Sequence, residues 1–272
     1  MNFTERLRTT QRKRNSLLCV GLDTDVRKIP RSLRGSPNPV LDFNRRIIRA
    51  TRDLVCAYKI NLAFYEAMGR RGWQTLQRTL SHIPDDVVTI GDAKRGDIGN
   101  SSKLYAHALF EEYGFSACTV NPYMGMDSVA PFLQNGSRGT FILALTSNPG
   151  AREFQHLKIS GTPLYEHVVR AAQRWNTKLN CGLVVGATHP KDLRRIRARA
   201  PHMPFLIPGV GAQGGDLKLA VRYGCDTCGE LAVINSSRGI LYASDGIDFA
   251  EAARTAAATM RDEINTHREK FF

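Results

Sequence analysis

The stretch DVVTIGDAKRGDIGNSS, residues 86–102, joins an apolar run to a dense group of charges. The run is short and rich in β-branched residues, which is typical of a buried strand, and the following glycines and serines are typical of a turn into a helix. Asp92 and Lys94 are two residues apart, so on a strand their side chains would point to the same face. Asp97 lies beyond Gly96 and cannot face that spot as simply. The stretch therefore predicts a strand whose carboxyl end carries functional charges. The alternative, a cluster of surface ion pairs on a loop, is compatible with the same sequence.

The same pattern of an apolar run followed by an amphipathic helical stretch recurs along the chain. The predicted strands are residues 16–22, 55–60, 86–93, 117–122, 140–147, 182–188, 205–211 and 231–237. The predicted helices lie near residues 40–54, 68–81, 99–113, 126–134, 162–178, 190–200, 214–223 and 248–266. Strand–helix units of this number, with strands apolar on both faces, predict a closed parallel (β/α)8 TIM barrel. A doubly wound open sheet is disfavoured because no G-x-G-x-x-G follows the first strand.

We expect one barrel domain over residues 1–272, with a short basic N-terminal extension, because no linker rich in Pro, Gly and Ser divides the chain. The longest insertion, residues 148–161, is expected to be a mobile loop over the barrel mouth. The apolar runs are far shorter than the roughly 20 residues that span a bilayer. The N-terminal segment lacks a signal-peptide cleavage pattern. These features predict a cytoplasmic protein without a membrane partner.

The formal charge of +13 favours anionic partners through long-range attraction. Nucleic acid is the alternative partner, but no helix-turn-helix, zinc finger or aromatic-interleaved basic strand supports it. Cys225 and Cys228 form a C-x-x-C without a second pair, so we expect reduced cysteines and no zinc site. The seven histidines show no H-x-x-x-H or H-x-H spacing and are expected to be surface or capping residues.

Polar residues recur at the carboxyl ends of the predicted strands, where a barrel of this type holds its catalytic groups. They are Asp23, Lys59, Asp92, Lys94, Asn121, Ser147, Gln213 and Arg238. Each alone would more often be a capping or solvent-facing residue. Their common placement predicts a single site on which they converge.

Two segments near the C-terminus have the composition of a phosphate site. PGVGAQGGD, residues 208–216, offers glycines whose backbone N–H groups can approach an anion closely, and a helix follows. NSSRGI, residues 235–240, adds hydroxyls and the guanidinium of Arg238, whose planar fork suits phosphate oxygens. The loops after strands seven and eight are the usual phosphate cradle of this barrel.

Taken together, the motifs resemble the orotidine 5'-phosphate decarboxylase family, in its longer bacterial (type 2) subclass. The matching segments are LLCVGLD (17–23), AYKINLAFYEAMG (57–69), IGDAKRGDIGNSS (90–102), TVNPYMGMDSVAPF (119–132), TSNPGA (146–151), PGVGAQGGD (208–216) and INSSRG (234–239). Two residues depart from the family pattern: Ile60 stands where proline is expected after the lysine, and Ser101 stands where threonine is common. Both departures keep the chemical groups that the site requires.

The resemblance implies a homodimer that converts orotidine 5'-monophosphate to uridine 5'-monophosphate and carbon dioxide, without a metal or an organic cofactor. This carbon–carbon lyase reaction belongs to pyrimidine biosynthesis. The resemblance also implies that Lys94, held as an ammonium by Asp92 and Asp97, protonates the C6 carbanion. Asp97, Ile98 and Ser101 would reach across the subunit interface into the partner's site, which makes the two active sites shared.

The resemblance implies substrate-binding roles for the remaining site residues. Asp23 and Lys59 would contact the ribose hydroxyls, Ser147 the pyrimidine amide edge, and Gln213 and Arg238 the 5'-phosphate, while Pro208 and Ser237 complete the substrate-binding set. One rival is a sugar-phosphate decarboxylase or aldolase with a similar D-x-K-x-x-D, in which magnesium stabilises an enediolate. Another is a nucleotide-binding or RNA-binding protein that has lost catalysis and would tolerate Lys94→Ala.

Overall fold

The strands of the chain close into a barrel. The computed structural model describes residues 1–211 and 214–272, and within them eight parallel strands pair in sequence order around a closed sheet. These strands are β1 (Leu18–Gly21), β2 (Ala57–Asn61), β3 (Val88–Arg95), β4 (Ala117–Val120), β5 (Gly139–Leu145), β6 (Cys181–Val185), β7 (Phe205–Ile207) and β8 (Ala232–Ser236). The ring closes where Leu18 of β1 lies beside Ile234 of β8. The predicted (β/α)8 fold is confirmed.

Helices cover the outside of the barrel and one of its ends. They are α1 (Phe3–Arg14), α2 (Pro39–Thr51), α3 (Ala63–Glu66), α4 (Arg70–Leu80), α5 (Gly99–His107), α6 (Met126–Leu133), α7 (Ala151–Phe154), α8 (Leu164–Trp175), α9 (Pro190–Arg199), α10 (Leu217–Gly224), α11 (Arg238–Leu241) and α12 (Phe249–Phe271). Short 3-10 turns occupy Val26–Lys28 and Arg31–Leu33, and a π-helical turn, Ala108–Glu112, follows α5. Among the described residues, no helix has both the length and the apolar character that crossing a bilayer requires.

The helix α2 shows how the local sequence specifies a covering helix. Asn38 caps it, since its side-chain oxygen accepts a hydrogen bond from the Leu41 N–H at 3.2 Å, and Pro39 occupies the first helical position, where no N–H is needed. Phe43 and Ile47 are one turn apart and fully buried against the barrel. Phe43 also stacks on Phe249 of α12 with ring centroids 5.0 Å apart, which joins the first and last covering helices.

The basic N-terminal extension forms α1, which closes the amino end of the barrel. Phe3 and Leu7 are fully buried in the interior cluster of the barrel, and the ring of Phe3 meets Phe141 of β5 edge-on at 5.9 Å. A Cβ atom on Gly139 would lie 2.5 Å from the Phe3 ring, so glycine leaves the space that the aromatic plug fills. The buried amide of Gln11 donates to the Ala232 carbonyl at 2.8 Å and ties the helix to β8.

The insertion at residues 148–161 contains regular structure. It includes α7 and the strand Lys158–Ile159, which pairs with Thr162–Pro163 in a small antiparallel hairpin. Gln155 anchors the segment, because its side chain accepts a hydrogen bond from the Thr146 N–H and donates one to the Thr146 hydroxyl, both at 2.8 Å. The mobility of this loop stays a prediction.

We expect Phe3→Ala to lower the free energy of unfolding by about 3–5 kcal/mol, because the truncation leaves a cavity inside the barrel. Denaturant unfolding at fixed protein concentration measures the change. Phe154→Ala is the matched control, since Phe154 is 60% exposed and its truncation should cost less than about 1 kcal/mol. Equal losses from the two variants would contradict the role assigned to the α1 plug.

Candidate active site

A cavity of about 560 Å³ opens at the carboxyl end of the barrel strands. Its volume lies within the range of small-molecule sites. The predicted residues that line it are Asp23, Lys59, Asp92, Lys94, Ser147, Pro208, Ser237 and Arg238. The structure therefore brings the ends of β1, β2, β3, β5, β7 and β8 together around one space, as the placement of polar residues predicted.

A chain of alternating charges runs along the floor of this cavity. The Lys94 ammonium lies 2.7 Å from Oδ1 of Asp92, and the Lys59 ammonium lies 3.0 Å from Oδ2 of the same carboxylate. Lys59 also lies 3.2 Å from Asp23. The two lysines differ in access, because the Lys59 side chain is only 6% exposed and that of Lys94 is 50% exposed. Of these two lysines, Lys94 is the one that a ligand in the cavity can reach, whereas the Lys59 ammonium is buried.

Two members of this chain, Asp92 and Lys59, are held in the ionised form by their neighbours. Burial would raise the pKa of Asp92, but the ammonium groups of Lys59 and Lys94 outweigh it and lower the pKa to about 2. Burial would lower the pKa of Lys59, but the carboxylates of Asp23 and Asp92 outweigh it and raise the pKa. Asp92 therefore remains an anion and Lys59 a cation at neutral pH.

The backbone at Lys94 departs from the regular strand that the sequence predicted. Lys94 has a φ of +46°, and the pairing of β3 with β4 shifts between Gly91 and Arg95. The Lys94 N–H donates to the Thr119 hydroxyl at 2.9 Å, and this hydroxyl donates to Asp92 at 2.9 Å. Asp92 and Lys94 do converge, but through a bulge rather than simple alternation. A non-glycine residue in this conformation costs free energy and is characteristic of functional sites.

Asp23 connects the charge chain to the closure of the barrel. Its carboxylate accepts hydrogen bonds from the Ser237 hydroxyl at 2.9 Å and from the Asn61 N–H at 3.3 Å. The approach of Ser237 requires Gly21, because a Cβ atom there would lie 1.9 Å from the Ser237 hydroxyl oxygen. The first, second and eighth strands therefore meet at this carboxylate.

The glycine-rich segment after β7 borders the cavity with Pro208, Gly209 and Val210. Gly209 has a φ of +93°, in the left-handed region that glycine adopts without strain. Further along the chain, the Gly215 N–H donates to the Gly209 carbonyl at 3.0 Å. Arg238, exposed at the start of α11, lines the cavity as well. Gln213, the other predicted phosphate ligand, lies outside the described residues.

Four predicted residues in the described part of the chain do not line this cavity. They are Asp97, Ile98, Ser101 and Asn121. Asp97 follows the end of β3, and its carboxylate accepts a hydrogen bond from the Ile98 N–H at 2.8 Å. Asn121 follows the fourth strand as expected, and its side chain accepts a hydrogen bond from the Tyr123 N–H at 3.0 Å. The fourth strand contributes Thr119 to the cavity instead.

Sequence reasoning missed several polar residues of the lining. They include Asp25, Lys28, Asn61, Thr119, Asn235 and Tyr242. Strand alternation carried a signal for two of them, because Asn61 is two residues after Lys59 and Thr119 is two residues before Asn121. Tyr242 gave no such signal. It reaches the cavity because α11 turns the chain back, and its hydroxyl accepts a hydrogen bond from the Asp25 N–H at 2.8 Å.

Comparison with known proteins agrees with this geometry. Residues 16–254 match the profile of the family described as Orotidine 5'-phosphate decarboxylase / HUMPS family. An orotidine 5'-phosphate decarboxylase of Dehalococcoides mccartyi (strain CBDB1) is 50% identical over 275 residues and is covered completely, as is this chain. One from Azoarcus sp. (strain BH72) is 47% identical, and the match covers 98% of this chain and 100% of the relative.

Among solved structures, Leishmania donovani OMP decarboxylase superposes with a TM-score of 0.87 at 38% identity, covering 99% of this chain and 100% of that one. The family profile, the full-length relatives and the shared barrel all agree with the motifs read from the sequence, and the longer bacterial subclass is consistent with them. The chain belongs to the orotidine 5'-phosphate decarboxylase / HUMPS family.

Proposed function

We propose that this chain is the carbon–carbon lyase that converts orotidine 5'-monophosphate to uridine 5'-monophosphate and carbon dioxide in pyrimidine biosynthesis, and that Lys94 protonates C6 of the pyrimidine. The observation that carries the proposal is the half-exposed Lys94 ammonium, held 2.7 Å from the buried Asp92 carboxylate in the cavity. The assignment of the substrate is supported by the full-length relatives, which are named orotidine 5'-phosphate decarboxylases. A cytoplasmic location remains the expectation from the sequence.

The reaction has to stabilise a carbanion at C6, which has no adjacent carbonyl into which the charge can delocalise. Fixed charges in a largely desolvated site can supply this stabilisation without reorganising during the reaction. Lys94 can lie beside C6 and donate its proton as carbon dioxide leaves. Lys59 cannot take this role as readily, because its ammonium is buried between Asp23 and Asp92. Asp92 pairs with both lysines, because Oδ2 meets the Lys59 ammonium and Oδ1 meets that of Lys94.

The remainder of the cavity suits a nucleoside monophosphate. In this proposal Asp23 and Lys59 would contact the ribose hydroxyls, and Ser147 would contact the amide edge of the pyrimidine. Arg238 and the loop that begins at Pro208 would hold the 5'-phosphate, together with Gln213. Binding energy from this remote group can orient the reacting carbon.

The proposal includes a homodimer with shared active sites. Asp97 is absent from the cavity lining of its own subunit, which leaves it available to a neighbouring one. Large apolar side chains are exposed around it, on α5 and on the segment after β4 that leads into α6. They are Ile98, Leu104, Tyr105, Tyr123, Met124 and Met126. A concentration of exposed apolar side chains is typical of an interface between subunits, and this one would carry Asp97, Ile98 and Ser101 to the partner's site.

Purified protein should consume orotidine 5'-monophosphate, measured as loss of the substrate's absorbance, and the rate should survive EDTA. The magnesium-dependent sugar-phosphate enzyme is the alternative within this barrel, and it stabilises an enediolate through its ion. If EDTA abolished turnover and magnesium restored it, the metal-free mechanism would be wrong.

Lys94→Ala should lower kcat by at least about 10²–10⁴-fold, because the variant has lost the proton donor. Lys270→Ala is the matched control, since Lys270 is an exposed lysine near the end of α12 outside the cavity, and its kcat should be unchanged. Circular dichroism establishes that both variants fold. A Lys94→Ala variant with a normal kcat would exclude the proposed proton transfer.

Mixing inactive Lys94→Ala and Asp97→Ala subunits tests the shared sites. A mixed dimer has one site with both defects and one with neither, so random mixing should restore about one quarter of wild-type activity. Each variant alone, taken through the same dissociation and reassociation, is the control. Absence of recovery in dimers shown to be mixed would mean that each site is built from one subunit.

A further inference from the structure

A second cluster of ligand-type side chains lies on the rim of the barrel, and its members are not part of the cavity lining. His156 follows α7 in the segment after β5, whereas His189 caps α9 and Asp192 lies in its first turn. Each of the three offers one ligand atom, and these atoms lie within 4.8 Å of one another. All three residues are half-buried. No sequence motif points to the cluster, because the two histidines are 33 positions apart in the chain.

The environment of His156 leaves one of its nitrogens without a partner. Its Nε2 is buried and forms no hydrogen bond within the described part of the chain. The centroid of its ring lies 5.6 Å from that of Tyr165 and 5.6 Å from that of His189. A buried polar atom without a hydrogen-bond partner is unfavourable, so its presence here calls for an explanation. Coordination of a metal ion would satisfy an imidazole nitrogen in this position.

Asp192 is already oriented by an outer contact of the kind found around metal sites. The hydroxyl of the buried Tyr165 donates to Oδ1 of Asp192 at 2.8 Å. Hydrogen bonds to ligating carboxylates fix their orientation and tune their basicity. The carboxylate also offsets the positive end of the α9 dipole, which would otherwise disfavour a cation at the start of this helix.

We propose that His156, His189 and Asp192 bind one divalent transition-metal ion of the zinc class. Imidazole nitrogens favour zinc, cobalt and nickel over magnesium and calcium, which prefer oxygen ligands. Three protein ligands leave a position for water. The ion is separate from the decarboxylation site, and its binding does not depend on the function proposed above.

Binding of the ion ties the segment after β5 to α9. The ligand atoms of a tetrahedral zinc site lie roughly 3.4 Å apart, and the present separations, all within 4.8 Å, are compatible with that spacing. The neighbouring Gln155 is hydrogen-bonded to Thr146, which lines the cavity beside Ser147. The ion therefore fixes the segment that borders this wall of the active site.

The test is a titration of untagged protein with Co²⁺, followed by competition with Zn²⁺. The Cys228→Ser background removes the exposed thiol as an alternative ligand. We expect one Co²⁺ per chain with visible d–d absorption, and displacement of Co²⁺ by Zn²⁺. His189→Ala and Asp192→Asn should each weaken binding by at least about tenfold, whereas His202→Ala, which removes an exposed histidine outside the cluster, should leave it unchanged.

Hydrogen exchange gives a readout that does not involve catalysis. Zn²⁺ should slow amide exchange within residues 148–161 of the Cys228→Ser protein and have no such effect in Asp192→Asn, which keeps an acceptor for Tyr165. Absence of stoichiometric binding at micromolar metal would overturn the proposal. Undiminished binding in both ligand variants would overturn it as well, because the ion would then lie elsewhere. Neither outcome bears on the decarboxylase assay.

Discussion

The ion pairs that Lys59 makes with Asp23 and Asp92 are the interaction on which the site depends. These three residues come from the ends of three adjacent strands, and the lysine is almost completely buried between the two carboxylates. Removing one member of such a buried set would leave an uncompensated charge, at a cost of about 3–5 kcal/mol. The barrel supplies the frame for this arrangement, since the pairing of β1, β2 and β3 places the three strand ends side by side. One consequence is that Asp92 remains an anion, and its other oxygen, Oδ1, meets a second lysine.

Lys94 is that second lysine, and the strand distorts to present it. Its positive φ and the register shift in β3 raise the ammonium from the strand into the cavity, while Thr119 of the next strand satisfies the backbone N–H that the distortion releases. A buried lysine beneath and a half-exposed lysine above then share one carboxylate. The ion pair of Lys59 with Asp92 provides a fixed arrangement of charge, and the Lys94 ammonium remains accessible to substrate. Strain is tolerated here because the surrounding hydrogen bonds determine the conformation.

Much of the architecture and part of the site were predictable from local patterns. Each predicted strand has its counterpart, because apolar runs of four to eight residues buried on both faces report the parallel sheet directly. Asp23, Lys59, Asp92 and Arg238 were predictable because strand ends converge in a barrel whatever the helices between them. The π-helical turn after α5 was not predictable in this way. The helix α1 was not predictable either, because the first 14 residues are predominantly polar and only two fully buried apolar side chains, Phe3 and Leu7, enter the barrel. Asn121 follows the fourth strand as predicted, but it does not line the cavity, whereas Thr119 of that strand does.

The sequence by itself determined the period of the strands and helices, the order of the barrel and the chemical types at each strand end, because these depend on residues close together in the chain. Only the tertiary structure decided the conformation of Lys94, which depends on a hydroxyl from β4, and the encounter of His156 with His189 and Asp192 across two different connections. The physical reason is the same in both cases. Contacts between segments distant in the chain are set by packing of the whole barrel, and no local pattern of residues encodes the separation of two side chains brought together in that way.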